Sequence, residues 1–261
     1  MKRTFISTIG LLMLTAGASA DPVQVRVTIQ SLAGQNGVAL SPFTVAFHNG
    51  SFDGFNSGAP AAIGIQNIAE LGDGAAYLAA FGAAYPQGVS GTVTATVGGF
   101  GPGIFLPGAS GTFVFNIDTA LHRYFSFGSM VVPSNDMFFG NDSPTGVALF
   151  DGAGNFLNPT VMLAGANIWD AGTEVNAPFG AAFLVGQNAM DRTAENGVIT
   201  VGGNLTPYLN MLTPAGYTFS NLPGAGDQLA RITFEIVPTP AAAGALSLAG
   251  LLALRRRRAA Y

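Results

Sequence analysis

VQVRVTIQ, residues 23–30, alternates apolar and polar side chains at every position. The valines and the isoleucine take the odd positions, and glutamine, arginine and threonine take the even positions. Successive side chains of a β-strand point to opposite faces, so the alternation predicts a strand with one buried face and one face in solvent.

Six further segments continue this pattern along the chain. They are FTVAFH (43–48), GTVTATV (91–97), GTFVFNI (111–117), RYFSFGSMVV (123–132), GVALF (146–150) and ARITFEIV (230–237). The stretches between them are rich in Gly, Pro, Asn, Asp and Ser, which supply turn geometry. Regularly spaced short strands with one buried face predict an all-β fold, an antiparallel β-sandwich.

Residues 60–85 depart from the strand pattern. This segment is alanine-rich, and Ile65, Ile68 and Leu71 stand at helical spacing. Gly72 and Gly74 interrupt it, and Asp73 is placed to cap a second helix. We expect two short helices here, packed on one end of the sheets.

The two ends of the chain read as targeting segments. Residues 1–20 combine a basic start, an apolar run too short to span a bilayer and an Ala-Ser-Ala cleavage pattern, which together predict a secretory signal peptide. A buried first element of the fold is the alternative interpretation. A signal peptide implies an exported protein whose mature chain begins at Asp21.

The last segment, 238–261, begins Pro-Thr-Pro and continues with an Ala/Leu/Gly stretch and four arginines, 255–258. The apolar run covers 241–254; as a helix it would reach about 21 Å, and snorkelling arginines could extend this toward the ~30 Å hydrocarbon core. The layout resembles the PEP-CTERM sorting tail of bacteria, although Thr239 stands where that family usually has Glu. The resemblance implies processing by an exosortase; a plain C-terminal membrane anchor is the alternative.

Composition excludes several classes of protein. Between Asp21 and Glu235 lie all 14 acidic residues but only four arginines, which gives this part of the chain a net charge of −10. Nucleic-acid binding, which needs basic surface, is therefore not expected. Cysteine is absent, so disulfides, thiolate metal sites and cysteine nucleophiles are excluded.

Three segments, in order, resemble one family. LSPFTVAFHNGSFDGFNSGAPA (40–61) with IAELGD (68–73), VVPSNDMFFG (131–140) and WDAGTE (169–174) are similar to motifs of the spondin domain of F-spondin and mindin. The resemblance covers about 23–237, so we expect a spondin domain over 21–237. It implies a β-sandwich akin to calcium-binding modules of membrane-docking signalling proteins.

The resemblance also implies a Ca²⁺ site with Asp136, Asp170 and Glu174 as ligands. Calcium takes six to eight oxygen ligands, so backbone carbonyls, amides or water would complete the shell. Gly172 would let the loop turn between the two acids of WDAGTE, and Trp169 would pin that loop to the edge of the sandwich. From the residues alone, an ordinary solvated turn is the alternative interpretation.

Other candidate sites are weaker. DGAGN (151–155) lacks the alternating acids of a calcium-binding loop and predicts a tight turn. GGFGPG (98–103) does not have phosphate-loop spacing. His48 and His122 stand at predicted strand ends and are interpreted as structural.

These features predict a non-enzymatic, calcium-binding module for adhesion or matrix assembly, exported to the cell envelope or beyond. Its partner would be an envelope or matrix protein or a polysaccharide. The main alternative is a calcium-dependent carbohydrate-binding sandwich with exposed aromatics such as Phe138 and Phe139. A hydrolase is a third hypothesis, although no G-x-S-x-G motif is present.

Overall fold

A computed structural model describes residues 22–96 and 103–238. The predicted signal peptide, the segment 97–102 and the C-terminal segment from Thr239 onward lie outside the described residues. The described part is mostly β-structure, with eleven strands and two α-helices. The strands are β1 Val23–Ser31, β2 Ala39–Leu40, β3 Phe43–His48, β4 Val89–Val93, β5 Ser110–Ile117, β6 Tyr124–Val132, β7 Met137–Gly140, β8 Thr160–Ala164, β9 Trp169–Asp170, β10 Thr200–Val201 and β11 Gln228–Val237.

The strands form two antiparallel sheets. The smaller has the order β5-β1-β11-β8, so the opening strand β1 lies in its interior between two long neighbours. Val27 of β1 stands opposite Phe234 of β11 on one side and Phe113 of β5 on the other. The larger sheet has the order β10-β9-β7-β6-β3-β4, and β2 pairs separately with β6.

The main hydrophobic core lies between the two sheets. The apolar positions predicted for β1, Val25, Val27 and Ile29, are completely buried in it. Phe234 of the smaller sheet packs edge-on against Phe125 of the larger one, with ring centroids 4.9 Å apart. The alternation in β1 therefore predicts its two faces correctly: the apolar side chains face the core, and the polar side chains lie on the outer face.

Two helices, α1 Ile63–Leu71 and α2 Ala75–Ala84, confirm the prediction for 60–85. Helix α1 ends at Gly72, whose φ of +67° belongs to the left-handed region that glycine adopts readily. One carboxylate oxygen of Asp73 accepts a hydrogen bond from the Ala75 N–H at the start of α2 (2.9 Å). The sequence signals for the helix boundaries were thus sufficient.

The expectation that the helices sit on one end of the sheets was wrong. They lie against the outer face of the larger sheet, where Ile68 and Phe81 join a second buried cluster with Ala46 of β3 and Phe138 of β7. Small residues make room for them: a Cβ at Gly128 of β6 would lie 2.9 Å from Ile68 Cδ1. As a result, β3 is buried on both faces, rather than on one as predicted.

One predicted strand is not formed. Residues 146–150 make only isolated bridges, between Tyr124 and Ala148 and between Phe150 and Phe156. Val147 and Leu149 are nevertheless buried, so the alternation there reports burial without a continuous ladder. Within 22–96 and 103–238, no helix is long and apolar enough to cross a membrane.

Candidate metal centre

The pairing of β7 with β9 brings two of the three predicted ligands together. Asp170 ends β9 opposite Met137, and Asp136 directly precedes Met137 at the start of β7. The Ala171 N–H donates to the Asp136 carbonyl (3.0 Å), which continues the pairing one residue further. Residues 34 positions apart in the sequence thus become neighbours at one end of this strand pair.

Gly172 turns the chain back toward Asp136. Its φ is +64°, and a Cβ there would lie 2.6 Å from the Val198 carbonyl oxygen, so both the backbone conformation and the space require glycine. The Gly197 N–H donates to the Gly172 carbonyl (2.7 Å) and holds the turn against a second loop. The predicted turn at Gly172 is present; its role in directing two acids to one ion stays a prediction.

Asp136 is fully buried and anchors this loop with one carboxylate oxygen. Its Oδ2 accepts hydrogen bonds from the backbone N–H groups of Thr173 and Glu174 (both 2.9 Å) and from the Thr173 hydroxyl (3.3 Å). Its other oxygen, Oδ1, has no hydrogen-bond partner among the described residues. A buried oxygen without a donor is destabilising, because burial removes its hydrogen bonds to water and no protein group replaces them.

Asp170 is partly buried, and both its oxygens have partners. Oδ1 accepts from the Gly172 N–H (2.8 Å), and Oδ2 accepts from Asn176 Nδ2 (2.5 Å). The amide oxygen of Asn176, Oδ1, is buried and has no hydrogen-bond donor in the part of the chain that the structure describes. Asn176 therefore belongs to the same polar cluster, beside the two aspartates.

Glu174 faces an arginine. It is 3% exposed, and its Oε1 lies 3.6 Å from Arg192 Nη1, while its Oε2 has no hydrogen-bond partner within the described ranges. The same Nη1 donates to Glu70, a buried glutamate of α1. Gln66, one turn earlier on α1, also donates to Glu70 (2.8 Å). One guanidinium thus serves two buried carboxylates.

These surroundings disfavour the ionised carboxylates. Burial, reinforced by the charge of Asp170, raises the pKa of Asp136 to about 7 even though its three hydrogen bonds act in the opposite direction. Burial and then the charge of Glu70 raise the pKa of Glu174 to about 8, against the lowering effect of Arg192. For both acids, the favourable contacts with neighbouring groups stabilise the ionised carboxylate by less than the loss of hydration destabilises it.

The donor chemistry of the cluster suits a hard cation. The unpartnered atoms are two carboxylate oxygens and one amide oxygen, of Asp136, Glu174 and Asn176, and oxygen ligands are what Ca²⁺ prefers. As the side chains stand, no group of three or more His, Cys, Asp or Glu residues in 22–96 and 103–238 is arranged to hold a metal ion. Glu174 contacts Arg192, so a calcium ion that used this carboxylate would compete with that contact.

A groove gives solvent access beside this cluster. It has a volume of about 390 Å³ and lies between the start of α1 and the loops at Gly172 and Asn196. Trp169 is held in place beside Asp170: its indole N–H donates to the Gly140 carbonyl (3.2 Å), and its ring packs edge-on against Phe55 at 5.1 Å. Trp169 pins the strand that carries Asp170, as predicted.

The sequence interpretation missed Glu70, Arg192 and Asn176. Glu70 carried little signal: it is the one acid of α1, but the helical period places it on the side of Gln66, away from Ile65 and Ile68, and its burial comes from the tertiary structure. Arg192 carried none, since it lies in a polar segment 18 residues after Glu174. Its role emerges only when that segment is folded back against α1.

The expectation that Phe138 and Phe139 are exposed was wrong. Both are fully buried because β7 lies inside the larger sheet, with Phe138 under the helices and Phe139 in the core between the sheets. Neither ring can stack on a sugar from solvent. The carbohydrate-binding alternative loses these two rings, although Phe113 and Phe179 are exposed elsewhere on the molecule.

The two histidines make hydrogen bonds that define neutral rings. The Gly50 N–H donates to His48 Nδ1 (3.0 Å), so Nε2 carries the proton and donates to Ser126 (2.9 Å). His122 is similar: its Nδ1 accepts from the Asp118 N–H, and its Nε2 donates to the Gln87 carbonyl (both 2.8 Å).

Asp151 of DGAGN accepts from the N–H groups of Ala153 and Asn155 and forms the predicted turn.

No protein-family model matches the sequence, and a comparison with curated proteins finds no match. The motifs of the chain and the geometry of this site are therefore the basis for its proposed function.

Proposed function

We propose that this chain is an exported, calcium-binding module of the spondin type, with a β-sandwich fold, that acts without catalysis in adhesion or in assembly of the cell envelope or extracellular matrix. The observation that carries the proposal is the set of buried oxygens without hydrogen-bond donors at Asp136, Glu174 and Asn176. Two of these residues, together with the neighbouring Asp170, are the three positions that the spondin resemblance implies as ligands.

Calcium would relieve two unfavourable features of the cluster, the buried oxygens without donors and the unfavourable negative charge. A bound cation supplies the missing partner for Asp136 Oδ1 and compensates the burial and the repulsion by Asp170 that raise the pKa of Asp136. In this proposal Asp136, Asp170 and Glu174 provide carboxylate oxygens, and Asn176 contributes its amide oxygen. The ion would fix the Gly172 loop to the end of the larger sheet and so define the surface that a partner protein or polysaccharide recognises.

Export and sorting are part of the same proposal. The signal-like segment 1–20 would direct the chain out of the cytoplasm, and the PEP-CTERM-like segment 238–261 would hold it at the envelope until an exosortase acts. The domain outside would carry fourteen acidic and four basic side chains. Such a surface suits an environment rich in divalent cations better than one rich in phosphate.

Calcium binding is tested by thermal unfolding of the full-length chain in calcium and in chelator. Ligand that binds only the folded state stabilises it by RT ln(1 + [L]/Kd). With Kd between roughly 0.1 and 1 mM, 10 mM calcium should contribute about 1.4–2.7 kcal/mol. Magnesium should contribute much less, because a shell built from loops is poorly suited to its octahedral geometry.

Asp136→Asn is the sharpest variant for this test. It keeps an oxygen for the Thr173 and Glu174 N–H groups and replaces the unpartnered Oδ1 by an amide, so the calcium response should be lost while the metal-free fold persists. Asp227→Asn is the matched control, because Asp227 is exposed and its carboxylate accepts, among the described residues, only from the Gly224 N–H (2.8 Å). Equal melting of the wild type in calcium and in chelator would rule out the proposed site.

A further inference from the structure

Arg192 is the one basic side chain, among the residues that the structure describes, within ion-pair distance of the candidate metal centre. The other three arginines of this region lie elsewhere. Arg26 pairs with Glu235 and Arg231 donates to Gln30, both on the outer face of the smaller sheet, and Arg123 lies over the ring of Tyr124. The acids at the centre therefore depend on a single positive charge.

That charge is divided unequally between two carboxylates. Arg192 Nη1 donates a hydrogen bond to Glu70, but it lies 3.6 Å from Glu174 Oε1, beyond hydrogen-bond distance. Glu70 also receives the Gln66 amide, whereas Glu174 Oε2 has no hydrogen-bond partner within the described residues. Glu174 is thus attracted to Arg192 without being satisfied by it, and this weaker contact can be given up.

The segment carrying Arg192 is anchored independently of this contact. The Val175 N–H donates to the Thr193 carbonyl (2.9 Å), and the Glu195 N–H donates to the Thr173 carbonyl (3.0 Å). The segment beside Arg192 therefore follows the backbone of the 173–175 loop. Losing the Arg192–Glu174 contact would leave both backbone bonds in place.

From this arrangement we propose that Arg192 is an internal competitor of the metal ion: it holds the Glu174 side chain in the metal-free protein, and calcium must displace it to use that carboxylate. The inference rests on the proposed function, because it concerns the same site. It assigns Arg192 and Glu70 a regulatory role, with Glu70 retaining the arginine after Glu174 has turned to the ion. The resting protein thereby weakens its own calcium affinity.

The test uses the double variant Glu70→Gln/Arg192→Gln in the full-length chain. It removes one negative and one positive charge, so the net charge around the site is unchanged, while Glu174 loses both the attraction of Arg192 and the repulsion of Glu70. Two facing amides can still hydrogen-bond, which protects the fold. Calcium affinity measured by titration calorimetry should rise roughly two- to fivefold, the range expected for releasing one partly exposed ion pair.

Two single variants provide the comparison. Arg192→Gln should raise the affinity further than the double variant, because Glu70 then keeps its charge beside the site. Arg231→Gln removes the same charge from the outer face of the smaller sheet, where Arg231 donates to Gln30, and should leave the affinity unchanged.

The outcomes separate this inference from the function on which it rests. If the wild type binds calcium and the double variant binds equally or more weakly, Arg192 is not a competitor, and the inference fails alone. If neither protein binds calcium, the proposed metal site itself is wrong, and the inference falls with it. Tighter binding by Arg231→Gln would attribute the effect to net charge and would also overturn the inference.

Discussion

Asp136 combines a structural and a chemical role in one carboxylate. One oxygen holds the backbone of the 173–174 loop with three hydrogen bonds, while the other has no donor among the described residues. The hydrogen bonds require an oxygen acceptor but not a negative charge. The negative charge of Asp136 destabilises the metal-free protein and would become favourable only when a cation is bound.

A pH-dependent stability follows for the calcium-free protein. The pKa of Asp136 is about 7 in the folded state and 3.8 in its reference state, so between these values the folded chain binds more protons than the unfolded chain. The contribution of Asp136 to the free energy of unfolding is therefore largest below pH 4, and it is lost as the pH rises through 7. We expect Asp136→Asn to gain roughly 1–3 kcal/mol relative to the wild type between pH 5 and pH 8.

Denaturant unfolding in chelator at the two pH values measures this difference. The comparison with a variant is needed because His48 acts in the opposite direction: burial, reinforced by His122, lowers the pKa of His48 to about 4. Its contribution to stability is full above pH 6.5 and is lost as the pH falls through 4. A constant difference between the wild type and Asp136→Asn would show that Asp136 is not strained by its charge.

At the scale of elements, the contact between the two helices requires a small residue at one specific point. That residue is Gly64 of α1: a Cβ there would lie 2.8 Å from the Cα of Tyr77 in α2. Backbone atoms of a packed helix cannot move aside cheaply, in contrast to the end of a flexible side chain. The close approach of α1 to α2 thus depends on the absence of a side chain at Gly64.

Opposite effects are therefore expected for the same substitution at two helical glycines. Gly64→Ala gains about 1 kcal/mol of helix propensity but forces the helices apart, so we expect a net loss of roughly 1–3 kcal/mol. Gly82→Ala in α2 meets no atom within 4 Å, and should stabilise the protein by about 0.5–1 kcal/mol. Denaturant unfolding of both variants decides the matter; equal effects would mean that α1 and α2 are not packed this closely.

At the scale of the whole molecule, both sheets contribute to one core, and cysteine is absent. Apolar burial between the sheets, with the second cluster under the helices, must therefore provide the stability that disulfides give to many exported proteins. A calcium ion at the end of the larger sheet would add to this, at the place where buried polar atoms have no partners.

The proposed sorting predicts the mature ends of the native protein. Mass spectrometry of protein isolated from its native envelope should find an N-terminus at Asp21, because the Ala-Ser-Ala pattern precedes it. Processing of the tail should leave no soluble form that ends at Tyr261. Abundant soluble protein that retains the four arginines 255–258 would contradict the proposed sorting, and a membrane-bound form that retains them would favour a plain anchor.

The sequence by itself determined the features that depend on local geometry. The alternation in β1, the helical spacing of Ile65 and Ile68, and the glycine at position 72 each act within a few residues, so the chain's own period and turn preferences reveal them. The same holds for Gly172, whose turn lies between two acids of one short motif.

Only the tertiary structure decided what depends on the pairing of distant segments. Phe138 was predicted to be exposed and is buried, because β7 lies between β6 and β9 and beneath the helices. Arg192 donates to Glu70, which lies 122 positions earlier in the sequence, and no residue spacing predicts such a contact. Strand alternation shows which side chains share a face, but the register and the layers that cover each face determine which of them meet, and this is where the candidate site is assembled.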